Sequence, residues 1–239
     1  MQVLVLNGSP EKEKSITLIL TKLFLQGLNE EAEIINLYDL KINPCTGCYA
    51  CWFATDGHCV QKDDAIQVLE KIRKSDLVIW SVPLYCYGAP SQCKALADRT
   101  VCFNKAEMYL EDDGNVHHFG YEDGSKKAVL ISTAGLPKRE GNFDGLVFQM
   151  RHMFGSKTPA ICCAESALFM QDSTAALVEP YKAAVLKAGE EYKTSGRISE
   201  ETQKKLDALI IQPEDYVQNI NAMFAMIKKN VKDGKGRGK

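Results

Sequence analysis

Along the chain, short unbroken apolar runs alternate with stripes of apolar residues at helical spacing. An unbroken run of four to seven apolar positions suits a strand covered on both faces. Val3, Leu4, Val5 and Leu6 make the first such run, predicting a strand over 2–6. Strands are also predicted over 33–37, a short one, and over 77–82, 127–132 and 158–164. Between them, Ile16, Ile19, Leu20, Leu23 and Phe24 fall on one side of a helix over 15–28. Asp63 and Asp64 read as the acidic start of the next helix, with Ile66, Leu69 and Ile72 on its apolar face. Helices are also predicted over 91–104 and 143–154, and two or three more finish the chain, the last over 213–229. Five alternations of strand and helix specify an α/β fold, a doubly wound five-stranded parallel sheet with helices on both faces. Ligands of such sheets bind beyond the carboxyl ends of the strands, at the switch point. The loops after Leu6, Leu37, Val82 and Ser132 are therefore the ones to inspect.

Residues 106–125 break this rhythm. They hold the turn signals Asp113-Gly114 and Asp123-Gly124 around short polar and aromatic runs, which predicts an inserted hairpin. At 239 residues the length suits one large domain, taken as 1–227 with that insertion. From 228 to 239 six basic residues face Asp233 alone, and three glycines lie in the last six positions, which predicts a flexible basic tail. With 45% hydrophobic and 25% charged residues and a net charge of −2, the chain reads as an ordinary globular protein, with no electrostatic argument for nucleic acid. No apolar run approaches the ~20 residues of a membrane span, and the N-terminus lacks a signal-peptide pattern. A cytoplasmic location is the expectation, and reduced thiols with it.

The first loop reads Asn7-Gly8-Ser9-Pro10, then Ser15-Ile16-Thr17 at a helix start. Hydroxyls beside the free N–H groups of a helix N-terminus make a site for an anion of phosphate size. The loop is neither GxxxxGK[ST] nor GxGxxG, which argues against ATP and dinucleotides. The bland reading is a hydroxyl-rich helix cap. NGSP with the Ser-x-Thr start resembles the NAD(P)H-dependent FMN reductase branch of the flavodoxin-like proteins. Pro83-Leu84-Tyr85, Tyr87 and Pro90, then Lys94 and Asp98-Arg99, look like that family's second flavin loop and the helix behind it. Ser132-Thr133-Ala134-Gly135 looks like its third. The resemblance implies FMN held by Ser9, Pro10, Ser15, Ile16, Thr17, Pro83, Leu84, Tyr85, Thr133, Ala134 and Gly135, with NAD(P)H as electron donor. Glu11 stands where members commonly carry a basic residue, so Lys12 or Lys14 has to supply that charge.

Cys45-x2-Cys48-x2-Cys51-x7-Cys59 follows the second strand. Three thiols at two-residue gaps suit a loop that wraps an iron–sulfur cluster. The spacing is similar to that of the iron–sulfur flavoprotein subgroup of the same family, which implies a 4Fe-4S cluster beside FMN. Two other readings stay open: a tetrahedral zinc site, and a metal-free flavin enzyme that keeps the thiols. Cys93, Cys102, Cys162 and Cys163 fall on helix or strand positions and read as buried structural thiols. No nucleophile elbow is present, so hydrolase chemistry has no support.

The expectation is an FMN-dependent NAD(P)H oxidoreductase. It would pass electrons to a quinone, a nitro or azo compound, another flavin or an iron–sulfur centre. The scheme requires no protein acid or base, so no catalytic residue is assigned. The alternative is a flavodoxin-like electron carrier, with or without a cluster, serving a redox partner protein. The resemblance also implies a homodimer or homotetramer.

Overall fold

The computed structural model describes residues 1–110, 112, 114, 116–121 and 127–233. Its core is a five-stranded parallel sheet built from β1 (Val3–Asn7), β2 (Ala32–Asn36), β3 (Leu77–Ser81), β6 (Lys127–Thr133) and β7 (Ala160–Cys163). Their spatial order is β2-β1-β3-β6-β7, with Val5 facing both Ile34 and Ile79 in register. β1 and β3 are buried along their whole length, as a strand covered on both faces must be. The chain turns from one side of β1 to the other after β2, so the switch point lies between β1 and β3.

On one face, Leu4, Leu6, Val78, Trp80 and Leu130 pack under α3 (Ala65–Lys74), α4 (Ser91–Arg99) and α5 (Asp144–Phe154). On the other, Val3, Val5, Ile79, Val129 and Ile131 pack under α1 (Ile16–Leu28) and α6 (Ala175–Ser195). These alternate residues point to opposite faces because strand side chains repeat every two residues. α7 (Glu200–Asp207) lies against β7, and α8 (Pro213–Lys232) docks through Tyr216 and Ile220 onto Leu168 and Val178.

Several boundaries and faces differ from the sequence expectation. Ile19 is exposed, and Leu18, Leu25 and Leu28 take its place in the core, because α1 touches both the sheet and α6 and so turns a wider arc inward. The helix predicted over 91–104 ends at Arg99, and a 3-10 turn over Thr100–Phe103 leads directly into the insertion. That insertion is the antiparallel hairpin of β4 (Asn104–Leu110) and β5 (Val116–Gly120). Asp113, Asp123 and Gly124 of the two turn signals lie outside the described residues. The short helix α2 (Ala50–Phe53), within the cysteine loop, has no counterpart in the hydrophobic pattern. The last helix runs to Lys232 rather than 229, so the predicted tail begins inside it, and residues 234–239 lie outside the described residues. Among the described residues no helix is long and apolar enough to cross a membrane.

Candidate flavin and cysteine-loop site

Three loops meet at the carboxyl ends of β1, β3 and β6. Ser15 begins α1 as its N-cap, with its hydroxyl oxygen accepting the Leu18 N–H at 3.4 Å. Earlier in the loop, Ser9 Oγ accepts the Glu11 N–H at 3.2 Å, while its own N–H donates to Asn7 Oδ1 at 3.3 Å. In both serines the oxygen is engaged and the hydroxyl proton remains to be donated, the polarity that an anion requires. Thr17, buried, shares a 2.6 Å hydroxyl–hydroxyl hydrogen bond with Thr133, tying the first loop to the third. The helix-cap reading and the anion reading therefore describe the same atoms used for two purposes. Pro10 is exposed and Ile16 half-buried. Lys12, one of the two lysines expected to stand in for a base at position 11, pairs with Asp39 instead.

The second loop continues the β3 ladder: Val82 N–H donates to Ile131 O and Leu84 N–H to Thr133 O, both at 2.9 Å. Pro83 is buried and Leu84 half-buried. The chain then doubles back in a tight turn closed by paired Tyr85–Gly88 backbone hydrogen bonds at 3.0 Å. Its two corner residues, Cys86 (φ 47°) and Tyr87 (φ 63°), are both left-handed, a conformation that disfavours any side chain. This strained turn presents Tyr85 and Tyr87, the latter 61% exposed, rather than packing them. Partial burial raises the Tyr85 phenol above its usual pKa, and Tyr38 and Glu11 act on it in the same direction.

In the third loop the space beside Gly135 is open: a Cβ there would meet only the Tyr216 hydroxyl, 3.9 Å away. The Ala134 N–H already donates to Cys163 O at 2.9 Å, because the β6 ladder runs one residue further than predicted. Thr133 and Ala134 are buried, and exposed Gly135 is the part of this triplet open to a ligand.

The cysteine loop is held by a pair of residues that hydrophobic patterning could not find. Arg99, the last residue of α4, and Asp63 form a salt bridge with side chains 0% and 1% exposed. Nη1 donates to Oδ2 at 2.8 Å and Nη2 to Oδ1 at 3.1 Å. Asp63 also accepts the Asn43 N–H at 2.8 Å and the Ala65 N–H at 3.2 Å. Burial pushes the Asp63 carboxyl up, but Arg99 and the Asn43 N–H together bring it below its usual range. Nη1 of Arg99 reaches Asn43 O, and Nε reaches Cys59 Sγ, each at 3.1 Å. On the other side the loop leans on the hairpin: Trp52 packs against His118, ring centroids 4.9 Å apart, and Tyr121 Oη donates to Cys51 O at 3.4 Å.

Cys48 is exposed, Cys45 and Cys59 are half-buried, and Cys51 is buried. Backbone N–H donation from Ala50 lowers the Cys48 thiol, whereas desolvation raises that of Cys51, followed by the charges of Cys59, Cys48 and Cys45. All four thiols thus share one electrostatic neighbourhood and none is in a disulfide. Among the described residues, no three Cys, His, Asp or Glu side chains stand in metal-ligating geometry. Four soft thiols with an arginine N–H on one sulfur are nonetheless a donor set that fits an iron–sulfur cluster. The other five cysteines separate cleanly. Cys93, Cys102, Cys162 and Cys163 are buried, and desolvation lifts the first three thiols to about 12, about 11 and about 12. Cys86 is exposed in the second loop.

Residues 1–157 match the model of a family described as having the flavodoxin-like fold. An iron-sulfur flavoprotein of Archaeoglobus fulgidus is 39% identical over 101 residues, 42% of this chain and 49% of that protein. One from Methanocaldococcus jannaschii is 36% identical over 103 residues, 42% of this chain and 52% of that protein. The chain thus spans about half the length of these curated relatives. Among solved structures, an azoreductase from Bacillus anthracis superposes with a TM-score of 0.59 at 17% identity, covering 80% of this chain and 100% of the other. An NAD(P)H:quinone oxidoreductase from Methanothermobacter marburgensis gives 0.54 at 18%, covering 82% and 99%. Strand order, switch-point loops and the family match agree: the chain belongs to the flavodoxin-like fold family.

Proposed function

We propose that this protein is an FMN-dependent NAD(P)H oxidoreductase with a 4Fe-4S cluster on its cysteine loop. Its electrons would go to a quinone, a nitro or azo compound, another flavin or an iron–sulfur centre. The observation that carries the reading is the Thr17–Thr133 hydrogen bond, which draws the first and third loops together over the switch point. The names of the relatives, iron-sulfur flavoproteins, support the pairing of flavin and cluster.

When bound, FMN would supply hydride acceptance and one- or two-electron release, and a cluster would supply single-electron transfer. The protein's part is binding and position. Ser9, Ser15 and Thr17, with the first N–H groups of α1, hold the phosphate against the positive end of the helix dipole. The N–H groups of Val82 and Leu84 fix the second loop to β6, with Pro83 between them, and Tyr85 and Tyr87 would supply aromatic walls beside the flavin. Exposed Gly135 would present the third loop's backbone to the flavin. Cys45, Cys48, Cys51 and Cys59 would hold the cluster. α4 begins at the end of the flavin loop and ends at Arg99 on Cys59; its nine residues span about 13 Å. The assembly that goes with this reading is a homodimer or homotetramer.

Exposed Cys48 and Phe53, the latter 77% exposed, favour one second reading, a carrier that hands electrons from this loop to a redox partner protein. Oxygen-free protein made with ample iron and sulfide should show flavin absorbance with a broad iron–sulfur shoulder, and should oxidise NADH or NADPH by itself. Negligible oxidation alone, with rapid transfer to a ferredoxin-like partner, would favour the carrier. Protein without flavin would defeat both.

A further inference from the structure

We propose that Arg99 is a positioning residue for Cys59. Its Nε–H donates a hydrogen bond to the sulfur, fixing that ligand and raising the reduction potential of the cluster it holds. This inference rests on the cluster reading of the cysteine loop.

The arginine is divided between two tasks. Its two terminal nitrogens bind both oxygens of Asp63, which neutralises the buried guanidinium end-on. That arrangement leaves Nε–H on the outer edge, and its acceptor is Cys59 Sγ at 3.1 Å. A neutral thiol is a weak acceptor, and a metal-bound thiolate is a much better match for a buried cationic donor. Asp63 is itself anchored by the N–H groups of Asn43 and Ala65, so the guanidinium is held in place and the sulfur is presented with a fixed donor.

Arg99 also bonds Asn43 O, so one side chain grips the cysteine segment on both sides, before Cys45 and at Cys59. Among the described residues, Cys59 is the one sulfur of the four that a cationic side chain reaches by hydrogen bond. Because the Arg99–Asp63 pair is neutral overall, its influence on the cluster comes from the directed N–H rather than from a net charge. Hydrogen bonds to ligand sulfur withdraw electron density and favour the reduced cluster. Partners behind a metal ligand also commonly account for a 10–100-fold share of affinity.

The test uses full-length protein reconstituted without oxygen with FMN, iron and sulfide. Wild type is compared with Arg99→Lys and with the double variant Arg99→Gln/Asp63→Asn. The double variant removes the donor while leaving no unpaired buried charge. Arg99→Lys keeps the ion pair and loses the second edge of donors, so it carries the comparison should the double variant fail to fold. Readouts are the cluster's reduction potential by redox titration, its Fe–S stretching frequencies, and the rate of iron loss to a ferrous chelator. FMN affinity serves as the control for folding.

At a fixed potential near the midpoint, each variant should hold about tenfold less reduced cluster relative to oxidised, equivalent to about 59 mV for a one-electron couple. Iron should leave about tenfold faster, with FMN affinity unchanged. A purely structural role could speed iron loss without moving the potential or the Fe–S frequencies. Variants that keep wild-type potential and frequencies would therefore overturn the assignment of Arg99 while the cluster reading stands. Wild type that holds FMN and no iron would overturn the cluster reading itself, and this inference with it, before any variant is compared.

Discussion

Ser15 and Thr17 each do structural work that can be separated from ligand binding. Ser15 Oγ accepts the Leu18 N–H, and Thr17 Oγ1 is bonded to Thr133. Replacing both by Ala should cost about 1 kcal/mol through the lost cap alone. FMN binding should weaken by more, about 2–4 kcal/mol, since each hydrogen bond to a charged group contributes roughly 1.5–3 and the two effects overlap. Fluorescence titration of FMN into apo-protein reads this as a roughly 30- to 1,000-fold rise in Kd. Unchanged Kd would remove these residues from the phosphate site. At Asp63, truncation to Ala leaves the buried Arg99 charge unpaired and should cost about 3–5 kcal/mol in urea unfolding. The sign of its pH dependence follows from its lowered pKa. Its stabilisation is present above the unfolded value, 3.8, and disappears as pH falls through the lower folded value. Hydrogen exchange in the cysteine loop should therefore lose protection below about pH 4, and Asp63→Asn should remove that acid-dependent step.

Two elements owe their geometry to close backbone approaches and strain. α1 and α6 cross at glycines: a Cβ on Gly27 would lie 1.9 Å from Leu186 O, and one on Gly189 would lie 2.1 Å from Phe24 O. Gly189→Ala must push the helices apart, costing about 1–3 kcal/mol by overpacking despite the better helix propensity of Ala. Calorimetry should show Tm falling by several degrees. The Cys86-Tyr87 corner has the opposite sensitivity. A turn with two left-handed corners prefers Asn-Gly, and L-residues there cost roughly 1–2 kcal/mol each. Cys86→Asn/Tyr87→Gly should raise the Tm of apo-protein while weakening FMN through the lost Tyr87 wall. A variant that is both more stable and equally tight would show that the strained turn has no part in the flavin site.

For the whole molecule, the separation of the cysteines into one loop and a scattered buried set makes a single contrast decisive. Cys48→Ser should abolish or destabilise the cluster while FMN remains, because ligands of one centre fail together. Cys93→Ser should affect neither, since that thiol is buried and lies outside the cysteine loop, and Ser nearly matches it in size against Gly8. Iron content and the visible spectrum of oxygen-free preparations measure both. Equal iron loss in the two variants would mean that the loop is not a unit.

The alternation of apolar runs and helical stripes was enough for the sheet, because strands covered on both faces and helices with one buried face leave unmistakable periods. The first loop and the cysteine spacing were likewise legible, because both are contiguous in sequence. Ile19 and the end of the helix at Arg99 were not. Which arc of α1 is buried depends on α6, more than a hundred residues away, and α4 stops where the hairpin begins. Arg99, Asp63 and Cys59 come from three different segments, and no local pattern records that one guanidinium serves a carboxylate and a sulfur. Thr17 and Thr133 meet only because β1, β3 and β6 lie side by side. The sequence by itself determined the elements and the chemistry available in each loop. Tertiary structure decided which donors remain free and which residues meet, because hydrogen bonds across 36 to 116 residues of chain exist only once the sheet has ordered its loops.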